Sequence, residues 1–589
     1  MPALRLLMPL LVVLGGPAAA ATAAPGVAPL VPSSEQSLPN GQRLLVLCYH
    51  DVVPVRNAGA DPQSVDSGTL AAHLNWLRSE GYRPIDLDAL VGAYAGTSRL
   101  PERAVLLTFD DGYLSLYTQV FPLLRAFRFP AVAALVGQWM EVPAGGTVQY
   151  SESGLRARES FISWDQAREM QASGLIEFAS HSWDLHHGIP GNPAGSLEPA
   201  ATTHAFLADS GYESDWAWQQ RIRSDLERAS AVLEQRLGRR PRAIVWPYGR
   251  YDEQTEHIAR ELGMPIGLTL DSGRMEHATA LGRIRRLLVD GNPNATRFAH
   301  FVTHHDEAPT IRFVQIGLDR LADARGSDLS RRLNELLERI RLLGVETVVL
   351  PAFATPPAAG RIEALYFPNR HLPVRTDLLN RVAWAIATTT QARVYAWLPV
   401  QGFALDATAG DPDAQQRIGD LFEDLGKNAY LQGLLIGAPS ASDTLQAISS
   451  RAAALADRTR AWQPQLRTAL KLPALGGMPQ SEQIVALLDQ HDYLQADLGT
   501  QDDPAHGARL IATIRAISGA PARTWIGVAA PGGTAAAAGA RAQALQRDGF
   551  PNLGVLGADL DGSATDFAAL RRTLSLRARA TGTTPASGS

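Results

Sequence analysis

The chain has 589 residues, with 54 Lys and Arg against 59 Asp and Glu, a formal net charge of −5, and 46% hydrophobic residues. At roughly 150 residues per domain this allows two to four folding units with sizeable cores, and the near-balanced charge gives no electrostatic footprint for nucleic acid as a partner. Cys48 is the single cysteine, which excludes an intramolecular disulfide and a thiolate metal cluster.

In chain order, residues 1–24 carry one charge, Arg5, then the apolar stretch Leu6–Leu14 and Ala-rich sequence, the pattern of a secretory signal peptide. No cysteine stands near the cleavage region, so no lipid anchor is expected there and a soluble exported protein is. A linker at 25–40 leads to a first row of short apolar runs: Arg43–Cys48, Ala104–Phe109, Ala131–Val136, Leu175–Ala179, Ala243–Trp246 and Ile266–Leu270. Their length suits buried strands of a parallel α/β fold, with amphipathic helices between them. One such helix is predicted over Ser224–Leu237, with Leu226, Ala229, Leu233 and Leu237 on one stripe and Gly238 as the stop. This first unit is assigned to 41–305.

A second row of eight runs follows: Val314–Gly317, Thr347–Phe353, Arg393–Leu398, Gly433–Gly437, Leu466–Leu472, Tyr493–Leu498, Thr524–Ala529 and Gly554–Gly557. Eight strand-plus-helix units in this length predict a (β/α)8 barrel over 306–577, followed by a disordered tail at 578–589.

In the first row, chemically able residues stand just past strand ends, where α/β barrel enzymes assemble their sites. Tyr49-His50-Asp51, Asp110-Asp111-Gly112, Ser180-His181, Pro247-Tyr248-Gly249 and Asp271-Ser272-Gly273 are five such positions. His181 and His186, five residues apart, can join Asp111 in a two-histidine, one-carboxylate set that leaves open positions on a divalent metal. That donor set accepts zinc, nickel, cobalt or iron. An isolated HxxxxH is weak evidence, and adjacent acids at a turn often cap a helix; it is their combination that points to a site. Successive residues leave a strand in different directions, so one carboxylate can hold the metal while its neighbour acts as general base. His50 is a separate imidazole able to protonate a leaving amine, and the turn at Pro247, Tyr248 and Gly249 could offer backbone N–H groups to an oxyanion. His187, His204, His304 and His305 have no comparable placement and are read as surface or supporting residues. The long insertions Trp139–Phe161 and Gly188–Trp216 are read either as substrate-binding or lid loops or as ordinary surface loops.

The motifs Thr108-Phe-Asp-Asp-Gly112, Ser180-His-Ser-Trp-Asp-Leu-His186 and Trp246-Pro-Tyr-Gly249 resemble those of NodB-like polysaccharide deacetylases. With Tyr49-His50-Asp51 and the segment Ala364–Arg375, the chain resembles the two-domain poly-β-1,6-N-acetylglucosamine N-deacetylases of biofilm polysaccharide systems. That resemblance implies a distorted, circularly permuted (β/α) deacetylase barrel followed by the (β/α)8 barrel. It implies Asp110 as base, His50 as acid, Asp111, His181 and His186 as metal ligands, and the backbone around Tyr248 as the oxyanion segment. It further implies hydrolysis of acetamide groups on poly-N-acetylglucosamine, a periplasmic location and an outer-membrane export porin as partner. Related second barrels that cleave the polymer carry acids after the fourth strand, where this chain has Gly433-Leu-Leu-Ile-Gly-Ala-Pro-Ser440. Since glycoside hydrolysis normally needs two placed carboxyl groups, this barrel is expected to hold glycan without cutting it, with Tyr366 and Trp397, and less so Trp384, as candidate stacking residues. Asp319, Asp497 and Asp559 stand near other strand ends, where helix caps and solvated turns are the first reading. Two alternatives stay open: a deacetylase of peptidoglycan or chitin-like oligomers, and a non-catalytic polysaccharide-binding export factor.

Overall fold

The first unit is built on a parallel sheet whose strands are β1 (Leu44–Tyr49), β2 (Ala104–Phe109), β3 (Ala131–Leu135), β4 (Ile176–Ser180), β5 (Ala243–Val245), β6 (Ile266–Leu268) and β7 (Leu287–Leu288). The computed structural model describes Leu38 and residues 42–57, 60–151, 154–271, 280–304, 310–356, 360–405, 412–437, 445–472, 479–498, 504–529, 535–557 and 564–574. The expected signal peptide, the linker apart from Leu38, the terminal tail, Ser272, Gly273, His305 and Asp559 lie outside the described residues.

The strand order is β6-β5-β4-β3-β2-β1-β7, with a two-residue strand at Arg83–Pro84 beside β2. All six residues of β1 and all six of β2 are buried, as expected for strands covered on both faces. The two edges are drawn together by one segment: Ile284 bridges Leu268 of β6 while Leu287 and Leu288 pair with β1. The sheet is therefore a parallel half-barrel whose ring is completed by residues 284–288. Neither this closing strand nor Arg83–Pro84 has a sequence signal, because two residues are too few to show a period.

The helix read as Ser224–Leu237 runs from Asp215 to Leu237, capped by the Ser214 side chain and stopped by Gly238 at φ 73°. Its buried stripe continues backward through Ile222 and Trp218. The aliphatic pattern hid this start, since Trp218 is the buried residue of the first turn and Trp216 is exposed.

The second unit is a closed eight-stranded parallel barrel: β8 (Arg312–Gln315), β9 (Thr347–Pro351), β10 (Arg393–Pro399), β11 (Gly433–Gly437), β12 (Arg467–Lys471), β13 (Tyr493–Leu498), β14 (Thr524–Ala529) and β15 (Asn552–Leu556). Phe313, Tyr395, Tyr493 and Trp525 are among the side chains that fill its interior.

The insertion Gly188–Trp216 carries a seam between the two units, while Leu207 and Trp216 stay exposed. Asn380 donates to the Gly191 carbonyl at 3.2 Å and to Glu198 at 2.8 Å. Tyr212 donates to Asp377, Lys427 pairs with Asp215, and Trp462 packs on His204 and Trp218. His204, read as surface or supporting, is 2% exposed in this seam.

Closure of the first unit depends on a close backbone approach at Gly267, where a Cβ would lie 1.9 Å from the Gly282 carbonyl oxygen. Backbone on both sides leaves nothing to swing aside. Gly267→Ala is expected to cost about 1–3 kcal/mol, read as a lower denaturant midpoint; an unchanged midpoint would show that residues 280–288 do not close the ring.

Candidate active site

Register aligns the strand ends. Tyr49 pairs with Phe109, so His50 and Asp110 emerge side by side, and the Asp110 N–H donates to the Tyr49 carbonyl at 2.9 Å. Leu135 pairs with Ser180 and Ile244 pairs with Ser180, which brings His181 and the 247–249 turn to the same edge. Asp111 has φ 74°, a left-handed conformation that L-residues other than Asn and Asp seldom adopt. That turn separates the two carboxylates.

Asp110 faces inward. Its Oδ1 accepts from Arg286 at 2.8 Å and its Oδ2 from the Cys48 thiol at 3.3 Å. Arg286, only 3% exposed, also donates to Thr108 Oγ1 at 3.0 Å and the Thr269 carbonyl at 3.2 Å. Burial by itself would raise the Asp110 carboxyl, but Arg286 above all, then His181 and His50, hold it below its ordinary value. His50 is brought beside it: Cys48, His50 and Asp110 each offer an atom within 4.8 Å of the others, and His50 Nδ1 is buried without a hydrogen bond.

Asp111 faces the other way. Its Oδ1 lies 3.4 Å from His181 Nε2 and 3.5 Å from His186 Nε2 yet has no hydrogen-bond partner, while Oδ2 accepts from Tyr150 at 3.2 Å. His181 Nδ1 donates to the Val245 carbonyl at 2.7 Å, which leaves the lone pair of Nε2 toward Asp111. Burial pushes the His186 imidazole down to about 4, so it is neutral at pH 7. Against burial, His186 and His181 hold the Asp111 carboxyl below the usual carboxylate range.

This donor set fits a divalent ion. Two imidazole nitrogens face one buried carboxylate oxygen that has no hydrogen bond, and the two oxygen-to-nitrogen separations of 3.4 and 3.5 Å match the edge of a tetrahedron, about 3.4 Å, for ligand bonds near 2.1 Å. Around it, Trp139 meets the His186 ring edge-on at 4.9 Å and Tyr248 lies 4.6 Å from it between centroids. Pro247 and Gly249 are buried, whereas Tyr248 is 45% exposed with φ 57°. The Trp139–Phe161 insertion thus supplies Trp139 and Tyr150 to the site.

His50, Asp110, Asp111, His181, His186 and the 247–249 turn therefore share one strand edge. Tyr366 and Trp397 stand apart, in the barrel. Tyr366 is 0% exposed and spends its hydroxyl on Asp319 at 2.8 Å, so its ring offers no face to a sugar; this corrects its reading as a stacking residue. Trp397 is half-buried in the barrel mouth with the Lys471 ammonium 3.9 Å from its ring centre. Trp384 meets Tyr430 edge-on at 4.8 Å. His187 stands 3.7 Å from Asp184, and His304 is exposed.

Sequence reasoning missed Arg286, Tyr150 and Asp225. Arg286 lies in the run Arg283-Ile-Arg-Arg-Leu-Leu288, beside a strand too short to detect. Tyr150 sits in a loop of no distinctive pattern. Asp225 lies on the polar side of the Asp215–Leu237 helix and accepts from the backbone of Trp183 and Asp184.

Comparison with known proteins follows the same division. Residues 97–267 match the family model described as Polysaccharide deacetylase, and residues 315–411 match Hypothetical glycosyl hydrolase family 13. The poly-beta-1,6-N-acetyl-D-glucosamine N-deacetylase of Escherichia coli (strain K12) is 35% identical over 430 residues, covering 68% of this chain. This chain spans 63% of that relative's length. Among solved structures, the BpsB deacetylase domain from Bordetella bronchiseptica is 40% identical, covering 44% of this chain and 98% of that one, with a TM-score of 0.38. The PgaB (BpsB) glycoside hydrolase domain from the same organism is 24% identical, covering 46% and 99%, with a TM-score of 0.39. The chain is thus a homologue of the poly-beta-1,6-N-acetyl-D-glucosamine N-deacetylases, and its first unit matches the polysaccharide deacetylase family model.

Proposed function

We propose that the chain is a polysaccharide N-deacetylase that hydrolyses acetamide groups of poly-β-1,6-N-acetyl-D-glucosamine. The observation that carries this reading is the divergence of two adjacent buried acids, one bound to a guanidinium and one facing two imidazoles. Asp111, His181 and His186 would hold a divalent ion, zinc, nickel, cobalt or iron. Such an ion supplies Lewis acidity toward a carbonyl oxygen and lowers the pKa of water.

The chain's own groups account for the proton movements. Asp110, kept ionised by Arg286, accepts a proton from the attacking water at its carboxylate. His50, beside it at the strand edge, delivers a proton to the amine as acetate leaves. The Pro247-Tyr248-Gly249 backbone, turned by the positive φ of Tyr248, is the oxyanion segment. Tyr248, 45% exposed, offers aromatic surface suited to a pyranose ring, while the buried Trp139 and the part-buried Tyr150 pack beside His186 behind it.

The barrel holds glycan without cutting it in this reading. No carboxylate occurs in residues 433–440, of which 438–440 lie outside the described residues. Asp497 pairs with Lys471 at 2.8 Å and Asp319 with Arg375 at 2.7 Å, so each of these two acids already has a cation. The N-terminal pattern at residues 1–24 fits export to the periplasm, with an outer-membrane porin as the partner that receives the polymer.

Asp110→Asn is expected to lower acetate release from the polymer by about 10²–10⁴-fold with metal content unchanged; near-normal turnover would remove Asp110 as the base. Arg286→Leu strands a buried carboxylate, with an expected stability loss of about 3–5 kcal/mol at pH 7. Without the guanidinium the folded-state pKa of Asp110 rises above its unfolded value, so the penalty shrinks as pH falls and the carboxyl takes up a proton. A loss independent of pH would contradict that account. Incubation of the full chain with partially deacetylated polymer is expected to release acetate and leave chain length unchanged; shortened chains would overturn the non-cleaving role of the barrel.

A further inference from the structure

We infer that Asp225 is a positioning residue for metal binding: it fixes the backbone between His181 and His186 and thereby the separation of their Nε2 atoms. The inference rests on reading Asp111, His181 and His186 as the ligands.

Four residues must carry the chain from one imidazole to the other inside a buried pocket, and their backbone groups need partners. The His181 N–H donates to the Leu135 carbonyl at 2.9 Å, the Ser182 N–H to Ser180 Oγ at 3.1 Å, and the Leu185 N–H to Ser182 Oγ at 2.9 Å. Ser182, at φ 69°, makes the sharp turn. The N–H groups of Trp183 and Asp184 point away from the pocket, and one carboxylate takes both: Trp183 donates to Asp225 Oδ1 at 2.8 Å and Asp184 to Oδ2 at 2.7 Å. One helical turn later, the Arg228 guanidinium lies 3.9 Å from the centre of the Trp183 ring. The same helix therefore grips this loop by backbone and by side chain.

The two histidines do not depend on this grip equally. His181 has its own anchor through Nδ1 and the Val245 carbonyl, whereas His186 Nδ1 has no hydrogen-bond partner. Apart from ring packing, the place of His186 follows from the path of the backbone after His181. A carboxylate is suited to hold that path because it accepts at both oxygens; an amide accepts at one and turns N–H against N–H at the other.

The test uses the full chain as wild type, Asp225→Asn and Asp225→Ser, with zinc as the probe. Zinc affinity is measured by chelator competition, apo-protein melting in parallel, and acetate release at saturating zinc. Both variants are expected to lose about ten- to a hundredfold in zinc affinity, to melt near wild type without zinc, and to regain most acetate release when zinc saturates. Asp225→Ser opposes no N–H and decides the matter where Asp225→Asn fails to fold. Affinity within twofold of wild type overturns the inference, whatever happens to melting. Turnover that saturating zinc does not restore also overturns it, as does collapse of both variants. Wild-type chain that binds no zinc removes the ligand reading itself, and this inference with it.

Discussion

The constraint on which the site turns is the cost of burying two carboxylates on consecutive residues. Asp110 and Asp111 are 3% and 2% exposed, and like charges at this spacing would drive one acid to take up a proton unless each had its own compensation. The chain meets the constraint by turning sharply at Asp111 and giving the two acids different partners. Asp110 goes to a guanidinium, which cannot lose its proton; Asp111 goes to two imidazoles, which can exchange a proton for a cation. Both acids are thus ionised without competing for one partner. The division into one acid held by a guanidinium and one facing two imidazoles is therefore an electrostatic consequence of the fold.

The fold reaches this arrangement through parallel register. Antiparallel neighbours would send successive strand ends to opposite edges, whereas here His50 and Asp110 leave the same edge on one rung, with His181 two rungs further on and the 247–249 turn beyond it. The cost is that the ring needs a closing piece. Residues 284–288 supply it, and they also deliver Arg286 beneath Asp110. Closure and compensation come from the same short segment, so an altered sheet edge would be felt at the reacting carboxylate.

What the sequence disclosed and what it hid divide along physical lines. Strands of five or six buried residues leave a readable apolar run, and the barrel strands in particular fall within one or two residues of their predicted limits. Residues that leave strand ends were equally legible, because their chemistry is in the residue type. Arg286 and Asp225 were not, because each matters through one partner far away in the chain, 176 and 42 residues off. The insertion Gly188–Trp216 misled for a related reason: polar, aromatic-rich sequence looks the same whether it faces solvent, a ligand or a second domain. Tyr366 shows the converse, an aromatic in a suggestive setting whose hydroxyl is used inside the protein.

The two barrels also differ in which polar groups they leave unmet, and that difference bears on which of them does chemistry. In the first unit an ionised oxygen, Asp111 Oδ1, is buried without a hydrogen bond beside two imidazoles, a state that calls for a cation. Near the mouth of the second barrel two acids among the described residues are satisfied: Asp497 holds Lys471 and Gln495, and Asp319 holds Thr355, Tyr366 and Arg375. The buried groups left over at that barrel's strand ends, among the described residues, include the Gln315 and Gln495 carbonyl oxygens and the Trp397 indole N–H. These are neutral acceptors and a neutral donor, suited to hydroxyl and amide groups of a sugar and unable to protonate a glycosidic oxygen. The Lys471 ammonium, lying against the Trp397 ring while paired to Asp497, is held in place from two sides.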